Sequence, residues 1–230
     1  MNQSSSSCRT IWLVRHAQST ANRDQIIQGH LDTELTDTGL QQAYFTGQYF
    51  KQKASEFNIK HLYSSDLQRT ILTAQFIGDN LNLETVQEPE LREAFFGKWE
   101  GAHSPTLAVD DALNYTRWMQ NRKWRPEWCE SFEALQARGV QAINKIISET
   151  QDDVIIVTHG GIIFSFILYY TQAFGETPSS NNCGITTLKV ATENGKPQIT
   201  VSEVNFVGPF VPITTLQLST NEEEAALPIN

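Results

Sequence analysis

Ile11-Trp12-Leu13-Val14-Arg15-His16, close to the start of the chain, and Val154-Ile155-Ile156-Val157-Thr158-His159-Gly160-Gly161, far downstream, repeat one pattern. Each is a short apolar run of the type that lies fully buried inside a parallel sheet. Each runs straight into a histidine. In open α/β folds, sites gather outside the carboxyl ends of the parallel strands. If the two strands are neighbours, His16 and His159 face each other across one crevice. Arg15 then supplies it with a planar cation, and Gly160-Gly161 open a helix whose N–H groups can approach an anion closely. The two stretches together predict an α/β fold and an anion site.

Working outward, Gln18 to Thr36 is polar and reads as loop with one helical turn. Asp37 is placed to cap a helix running to about Lys53, with Leu40, Tyr44, Gly47 and Phe50 on one face. Ile59 to Tyr63 reads as a strand. Ser64-Ser65-Asp66 then offer capping oxygens to a helix carrying Leu67, Ile71, Ala74 and Ile77. A short strand is expected near Thr85-Val86, and Leu91 to Gly101 is turn-rich and aromatic. Glu130 to Thr150 has the apolar stripe of a helix in Leu135, Val140, Ile143 and Ile147. A buried strand and helix cover Val154 to Phe174. Ile185 to Ala191 and Gln198 to Val204 form a hairpin around Glu193-Asn194-Gly195-Lys196.

Strands alternating with helices predict a three-layer α/β/α sandwich with a mostly parallel sheet. Residues 102–130 break that rhythm. There Trp118, Trp124 and Trp128 are interleaved with Arg117, Arg122, Lys123 and Arg125, which reads as an inserted helical cap. We expect residues 1–230 to form a single domain, with tails at about 1–9 and 221–230.

At 230 residues with a net charge of −9, the chain can bury a full core and lacks the basic footprint that nucleic acid or an anionic membrane needs. Its three cysteines, Cys8, Cys129 and Cys183, are scattered without CxxC spacing. That suits free thiols in a reducing cytoplasm better than a disulfide framework or a zinc site. The first residues have neither the basic start nor the apolar core of a signal peptide. A homodimer through an edge strand is compatible with such a sheet.

A neutral imidazole can attack phosphorus and form a phosphohistidine that water later hydrolyses. Arg15 beside His16 can hold two phosphoryl oxygens through its planar fork. Ser19 and Asn22 stand where a hydroxyl and an amide could donate to the same phosphate. Arg69 falls in the first turn of a helix, where a cation is misplaced against the dipole unless an anion is bound there. Glu93 and Glu100 lie among Phe95, Phe96 and Trp99, and burial against rings raises a carboxyl pKa toward that of a proton donor. Either could serve.

With these residues in view, the sequence resembles the histidine phosphatase superfamily, the phosphoglycerate mutase-like group. Arg15-His16-Ala17-Gln18-Ser19-Thr20-Ala21-Asn22 is similar to its first motif. Gln28-Gly29 through Gly39, Ser64 to Ala74, Leu91 to Gly101, Glu130-Ser131 and Val157 to Ile162 resemble later blocks in order. The resemblance implies His16 as nucleophile, with Arg15, Arg69 and His159 as the phosphate pocket. Asn22, Ser19, Gln28, Gly29 and Gly160 would border the substrate. Glu93 would be the general acid, and afterwards the base that activates water. Neither metal nor cofactor is implied, because arginines and histidines would neutralise the phosphate.

There are three departures from the family pattern: Ala17 for a glycine, Gln18-Ser19 for Glu-Thr, and Cys129 for a glycine. None removes a catalytic group. Phe96-Gly97-Lys98-Trp99-Glu100-Gly101 resembles the phosphatase branch, so the expected reaction is hydrolysis of a small phosphorylated metabolite. Phosphoglycerate mutation and non-catalytic phospho-ligand binding are the alternatives. A metal site using His16, His30 and His159 lacks close-spaced ligands.

Overall fold

The structure, a computed structural model, describes residues 8–172, 180–193 and 196–207. In order they form β1 (Arg9–Arg15), α1 (Thr20–Arg23), α2 (Asp37–Lys53), β2 (Ile59–Ser64), α3 (Gln68–Leu81) and β3 (Thr85–Gln87). Two 3-10 turns follow, Pro89–Leu91 and Gly97–Trp99. Then come α4 (Ser104–Asp110), α5 (Ala112–Gln120), α6 (Phe132–Glu149), β4 (Asp153–Thr158), α7 (Gly160–Thr171), β5 (Ile185–Glu193) and β6 (Lys196–Phe206).

The sheet order is β3-β2-β4-β1-β5-β6. The first four strands are mutually parallel, β5 runs antiparallel to β1, and β6 turns back antiparallel to β5. β1 and β4 are neighbours, with Val14 opposite Val157 and Arg15 opposite Thr158. Alternation of side chains along these strands feeds two cores. Ile11, Leu13, Val154 and Ile156 pack toward α6 and α7. Trp12, Val14, Ile155 and Val157 pack toward Phe50 of α2 and Ala74 and Ile77 of α3. Helices on both faces of one sheet make the expected three layers. Each aliphatic side chain so enclosed contributes about 1.5–3 kcal/mol. Truncating Leu13, which is fully buried, to alanine should cost roughly 2–5 kcal/mol.

Several local expectations shift. Arg9, expected in the tail, already belongs to β1, because it pairs with Val190 of β5 while its guanidinium reaches across to the carbonyls of Ile147 and Thr150 at the end of α6. α2 is capped by Thr36, whose hydroxyl accepts from the Gly39 amide at 3.0 Å, rather than by Asp37. The buried face of α2 is Gly39, Ala43, Thr46, Gly47 and Phe50, while Leu40 and Tyr44 are exposed. Small residues win that face because α2 lies close against α3: a Cβ on Gly47 would sit 2.4 Å from the Phe76 carbonyl oxygen. α3 is capped from outside, by Asp32 accepting from the Gln68 amide at 2.7 Å. α7 ends at Thr171, and the stretch expected to continue it to Phe174 lies beyond the described residues, as do the tails at 1–7 and 221–230. Glu193 pairs with Lys196 across the hairpin turn.

The cap region holds α4 and α5. No residue of α5 is fully buried, and Val109 and Leu113 are 79% and 66% exposed. The cap is tied down mainly by aromatic contact. Trp99, at 1% exposure, meets Tyr115, Trp118 and Trp128 and donates its indole N–H to Asp111 at 2.9 Å. Among the described residues, no helix is long and apolar enough to cross a membrane.

Candidate active site

Pairing of β1 with β4 brings both histidines to one end of the sheet. The His16 amide donates to the Thr158 carbonyl at 2.9 Å, and the His16 and His159 rings lie 5.2 Å apart. Nδ1 of His16 bonds to the Ala17 carbonyl at 2.8 Å. A carbonyl only accepts, so the ring hydrogen sits on Nδ1 and the lone pair on Nε2. Burial, and then the positive charges of Arg69 and Arg15, hold the His16 pKa well below 6.5. His16 therefore presents a neutral ring whose Nε2 lone pair is held in a fixed direction.

His159 stands at the entry to α7, fully buried, with Nε2 2.9 Å from the Ser65 hydroxyl. Burial, followed by Arg69 and His16, lowers its pKa well below 6.5. Its Nδ1 is enclosed without a partner, as are the Nε atoms of Arg15 and Arg69. Arg69 is only 1% exposed. Its two terminal nitrogens donate to the carbonyls of Leu31 and Gly29 at 2.8 Å each. Burial pushes the Arg69 pKa down to about 10, which leaves the side chain charged at neutral pH. Burial lowers that of Arg15 too, and one Arg15 nitrogen donates to the Ser180 carbonyl. Two desolvated guanidiniums around two neutral imidazoles form a concentrated positive site whose natural occupant is a small multivalent anion.

Glu93 completes the cluster. It is the leading opposing charge for Arg15, Arg69 and Arg125 alike. Its Oε1 accepts from the Ala94 amide at 2.8 Å, and its Oε2 from the Gly161 amide at 3.1 Å. Glu100 has a different job. A single oxygen of its carboxylate accepts from the amides of His30 and Phe96, each at 2.9 Å, and so ties two loops together. The two carboxylates that the sequence left open are thereby separated: Glu93 borders the arginines and Glu100 braces the frame.

The remaining expected residues fall close by, in differing roles. Asn22 lies on α1, and its Oδ1 accepts from the Ser19 amide at 3.2 Å and from Asn182 at 3.1 Å. The Ser19 hydroxyl is fully buried and donates to Gln28 at 2.8 Å, while Gln28 also accepts from Thr33 at 2.7 Å. Ser19 and Gln28 thus brace the loop behind the pocket. Gly29 takes φ +53°, where a side chain would collide with Glu100, and presents its carbonyl to Arg69. A Cβ on Gly160 would lie 3.7 Å from Arg15 Nε, so its backbone forms the pocket wall beside that arginine. Ala17 is fully buried with Leu35, Ala43 and Cys183, and its amide donates to Thr73 at 3.0 Å, so the methyl fits without strain. Behind it the Cys183 thiol is pushed up to about 12 by burial.

Sequence reasoning missed three residues. Ser65 was read as a cap of α3, but Asp32 takes that place and the Ser65 hydroxyl holds His159 instead. Asn182 donates to the His16 carbonyl at 3.0 Å. Arg138, on α6, binds the backbone that carries Glu93. Ser65 could have been found from its place in the block that bears Arg69. The other two approach through long-range contacts with no local signature. Among the described residues, no group of three or more His, Cys, Asp or Glu side chains is arranged to hold a metal ion.

Residues 11–203 match the family described as the histidine phosphatase superfamily, branch 1. The chain is 32% identical over 164 residues to putative phosphoserine phosphatase 2 of Hydrogenobacter thermophilus, covering 71% of this chain and 79% of that protein. It is 32% identical over 158 residues to the adenosylcobalamin/alpha-ribazole phosphatase of Escherichia coli K12, covering 66% and 74%. Its fold resembles the crystal structure of phosphoglycerate mutase from Bacillus anthracis, with a TM-score of 0.75 at 23% identity over 90% of this chain and 97% of that one. The paired histidines, the two arginines beside them and the adjacent carboxylate thus coincide with a family match over most of the sequence: the chain belongs to the histidine phosphatase superfamily, branch 1.

Proposed function

We propose that this protein is a phosphomonoesterase that hydrolyses a small phosphorylated metabolite through a phosphohistidine on His16. The observation that carries the reading is the tautomer of His16: Nδ1 is committed to the Ala17 carbonyl and Nε2 is left as a neutral nucleophile amid Arg15, Arg69 and His159.

The phosphoryl oxygens bind Arg15, Arg69 and His159, and Nε2 of His16 attacks phosphorus. The P–O bond to the leaving group breaks as Glu93 gives its proton to the departing oxygen. The phosphorylated imidazole keeps its Nδ1 hydrogen on the Ala17 carbonyl, so its positive charge is held by that bond. Water then attacks phosphorus and passes a proton to Glu93. The P–N bond breaks, inorganic phosphate leaves, and the neutral imidazole returns. Fixed cations around the equatorial oxygens stabilise the spreading charge without reorganisation.

Hydrolysis rather than mutation is favoured by the Phe96 to Gly101 pattern and by relatives named as phosphatases at 32% identity. The likeness to a phosphoglycerate mutase structure is one of fold. A second anionic group on the substrate is favoured by Arg122 and Arg125 in the cap. Among the described residues neither has a carboxylate at ion-pair distance, although Arg125 donates to the carbonyls of Arg122 and Trp124; burial lowers the pKa of both, and Arg125 feels the charge of Glu93. Arg125 also lines a cavity of about 550 Å³ bounded by Trp124, Pro126, Cys129, Ser131 and Phe132. The unpaired thiols of Cys8, Cys129 and Cys183 support a reducing compartment such as the cytoplasm.

The test is hydrolysis of p-nitrophenyl phosphate in excess EDTA by the native chain and by His16→Ala, with rapid quench for a phosphoenzyme. Turnover lost in the variant, with an acid-labile and base-stable phosphoenzyme in the native chain, is the expected result. Native protein that fails to hydrolyse the ester but interconverts phosphoglycerates would instead make it a mutase.

A further inference from the structure

Every N–H of the Arg138 guanidinium is spent on one short stretch of chain and the residue that braces it. Nε and Nη2 grip the Glu130 carboxylate at 2.7 and 2.9 Å. Nη1 donates to the carbonyls of Glu90 and Arg92 at 2.8 and 2.7 Å, and Nη2 donates again to the carbonyl of Glu93 at 2.9 Å. Five donors thus meet five acceptors, three of them main-chain oxygens within four consecutive residues. Glu130 closes the loop from the other side. Its Oε2 accepts from the Phe95 amide at 3.2 Å, and its own amide donates to the Phe95 carbonyl at 2.8 Å. His30 adds an imidazole Nε2 contact to the same Glu93 carbonyl at 2.9 Å.

This concentration has no counterpart in the needs of α6. The helix is capped by Ser131 and carries its own apolar face. Arg138 and Glu130 are 18% and 16% exposed as side chains, so the pair is mostly withdrawn from water without being sealed. Pairing alone would have required two of the five donors. The other three go to the backbone leading into and bearing Glu93, which has no regular secondary structure of its own beyond the 3-10 turn at Pro89–Leu91. A side chain on irregular backbone is placed only as well as that backbone is held. Proton donation needs the donor within about 2.6–3.2 Å of the leaving oxygen.

We propose that Arg138, oriented by Glu130, is a positioning residue for the proton donor Glu93. It rests on the reading of Glu93 as the general acid. Lysine cannot replace it, because a point-charge ammonium with three donors lacks the planar fork that meets five acceptors at once.

The experiment compares kcat/KM for an alkyl phosphate, whose leaving oxygen needs a proton, with that for p-nitrophenyl phosphate, whose leaving group departs as the anion. This ratio stops at phosphoenzyme formation, so the later hydrolysis does not blur it. Arg138→Met and Arg138→Lys should each lose about 10- to 100-fold on the alkyl ester, as displacement of a catalytic group by a fraction of an ångström to an ångström does, and about 3-fold or less on the aryl ester. In a Glu93→Gln background, Arg138→Met should add almost nothing on the alkyl ester. Where Arg138→Met fails to fold, Glu130→Gln, which keeps one oxygen for Phe95 but loses the charge facing Arg138, should show the same substrate split more mildly. Equal losses on both esters, or losses that multiply with Glu93→Gln, would reduce Arg138 to a stability role and overturn the proposal. Should Glu93→Gln alone leave alkyl-ester turnover intact, the general-acid reading itself fails, a result visible before any Arg138 variant is made.

Discussion

The amide of Gly161 donates to Oε2 of Glu93 at 3.1 Å, and a Cβ on Gly161 would come within 2.0 Å of Glu93 Oε1. The first turn of α7 and the candidate proton donor therefore share one space, which only a glycine leaves open. Gly161→Ala should push the carboxylate aside and lower kcat/KM for alkyl phosphates by about 10- to 100-fold. The same change replaces glycine by the best helix former within a helix, worth up to roughly 1 kcal/mol. Thermal stability should hold or rise while activity falls. Unchanged turnover would show that Glu93 acts from another position.

Glu93→Gln and Glu100→Gln should behave differently although both remove one charge. Glutamine at 100 keeps the oxygen that accepts from His30 and Phe96, so the frame survives and turnover should stay within about 3-fold. Glutamine at 93 cannot donate a carboxyl proton and should lose about 10²–10⁴-fold, most on esters with poor leaving groups. Steady-state kinetics on an alkyl and an aryl phosphate measure both. A larger loss at Glu100 would reverse the assignment.

Both active-site imidazoles are held neutral by burial and by neighbouring arginines, with pKa values well below 6.5. The unfolded chain protonates its histidines near 6.5. Between that value and the lowered folded one, the unfolded state binds more protons, so stability falls as pH drops below about 6.5. Above it, both states are neutral and the two histidines add no pH dependence. Melting curves between pH 7.5 and 5 should show a declining Tm, with a shallower decline in His159→Asn. Catalysis should show no loss of nucleophile near pH 6.5, because His16 stays unprotonated there. A fall in kcat/KM centred on that pH and absent from the leaving-group series would contradict the depressed pKa.

Arg122 stacks on Trp118 at 4.1 Å, and Arg125 lies 5.6 Å from the centre of the Phe96 ring. If they receive a second anionic group, Arg122→Ala and Arg125→Ala should raise KM about 10- to 100-fold for substrates carrying one, the worth of a charge-assisted hydrogen bond. The KM for p-nitrophenyl phosphate should barely move. Equal shifts on both substrates would mean that the arginines only support the aromatic cap.

The fold was legible where burial and periodicity coincide. Ile11 to Val14 and Val154 to Val157 are uniformly apolar, and their pairing carried both histidines to the pocket as expected. Arg69, buried in the first turn of α3, was legible because a cation there contradicts the helix dipole. What was not legible depends on contacts between distant parts of the chain. Arg9 extends β1 because it pairs with Val190 of β5 and its guanidinium meets the end of α6, and the exposed Leu40 reflects how closely α3 approaches α2. Arg138 follows an ordinary helical pattern, and nothing around it in sequence announces three carbonyls from residues 90–93.

The proposed nucleophile, His16, sits at the tip of β1, which is bonded along one side to β4 and along the other to β5, with Ile11, Leu13 and Val14 wholly enclosed. Amides in such a strand exchange with deuterium only when the whole molecule opens, whereas α5, with no enclosed residue, opens locally at little cost. Rising urea should therefore strip substrate discrimination before it strips the ability to form the phosphoenzyme. The protein would pass through a stage in which it is a less selective catalyst before it ceases to be one.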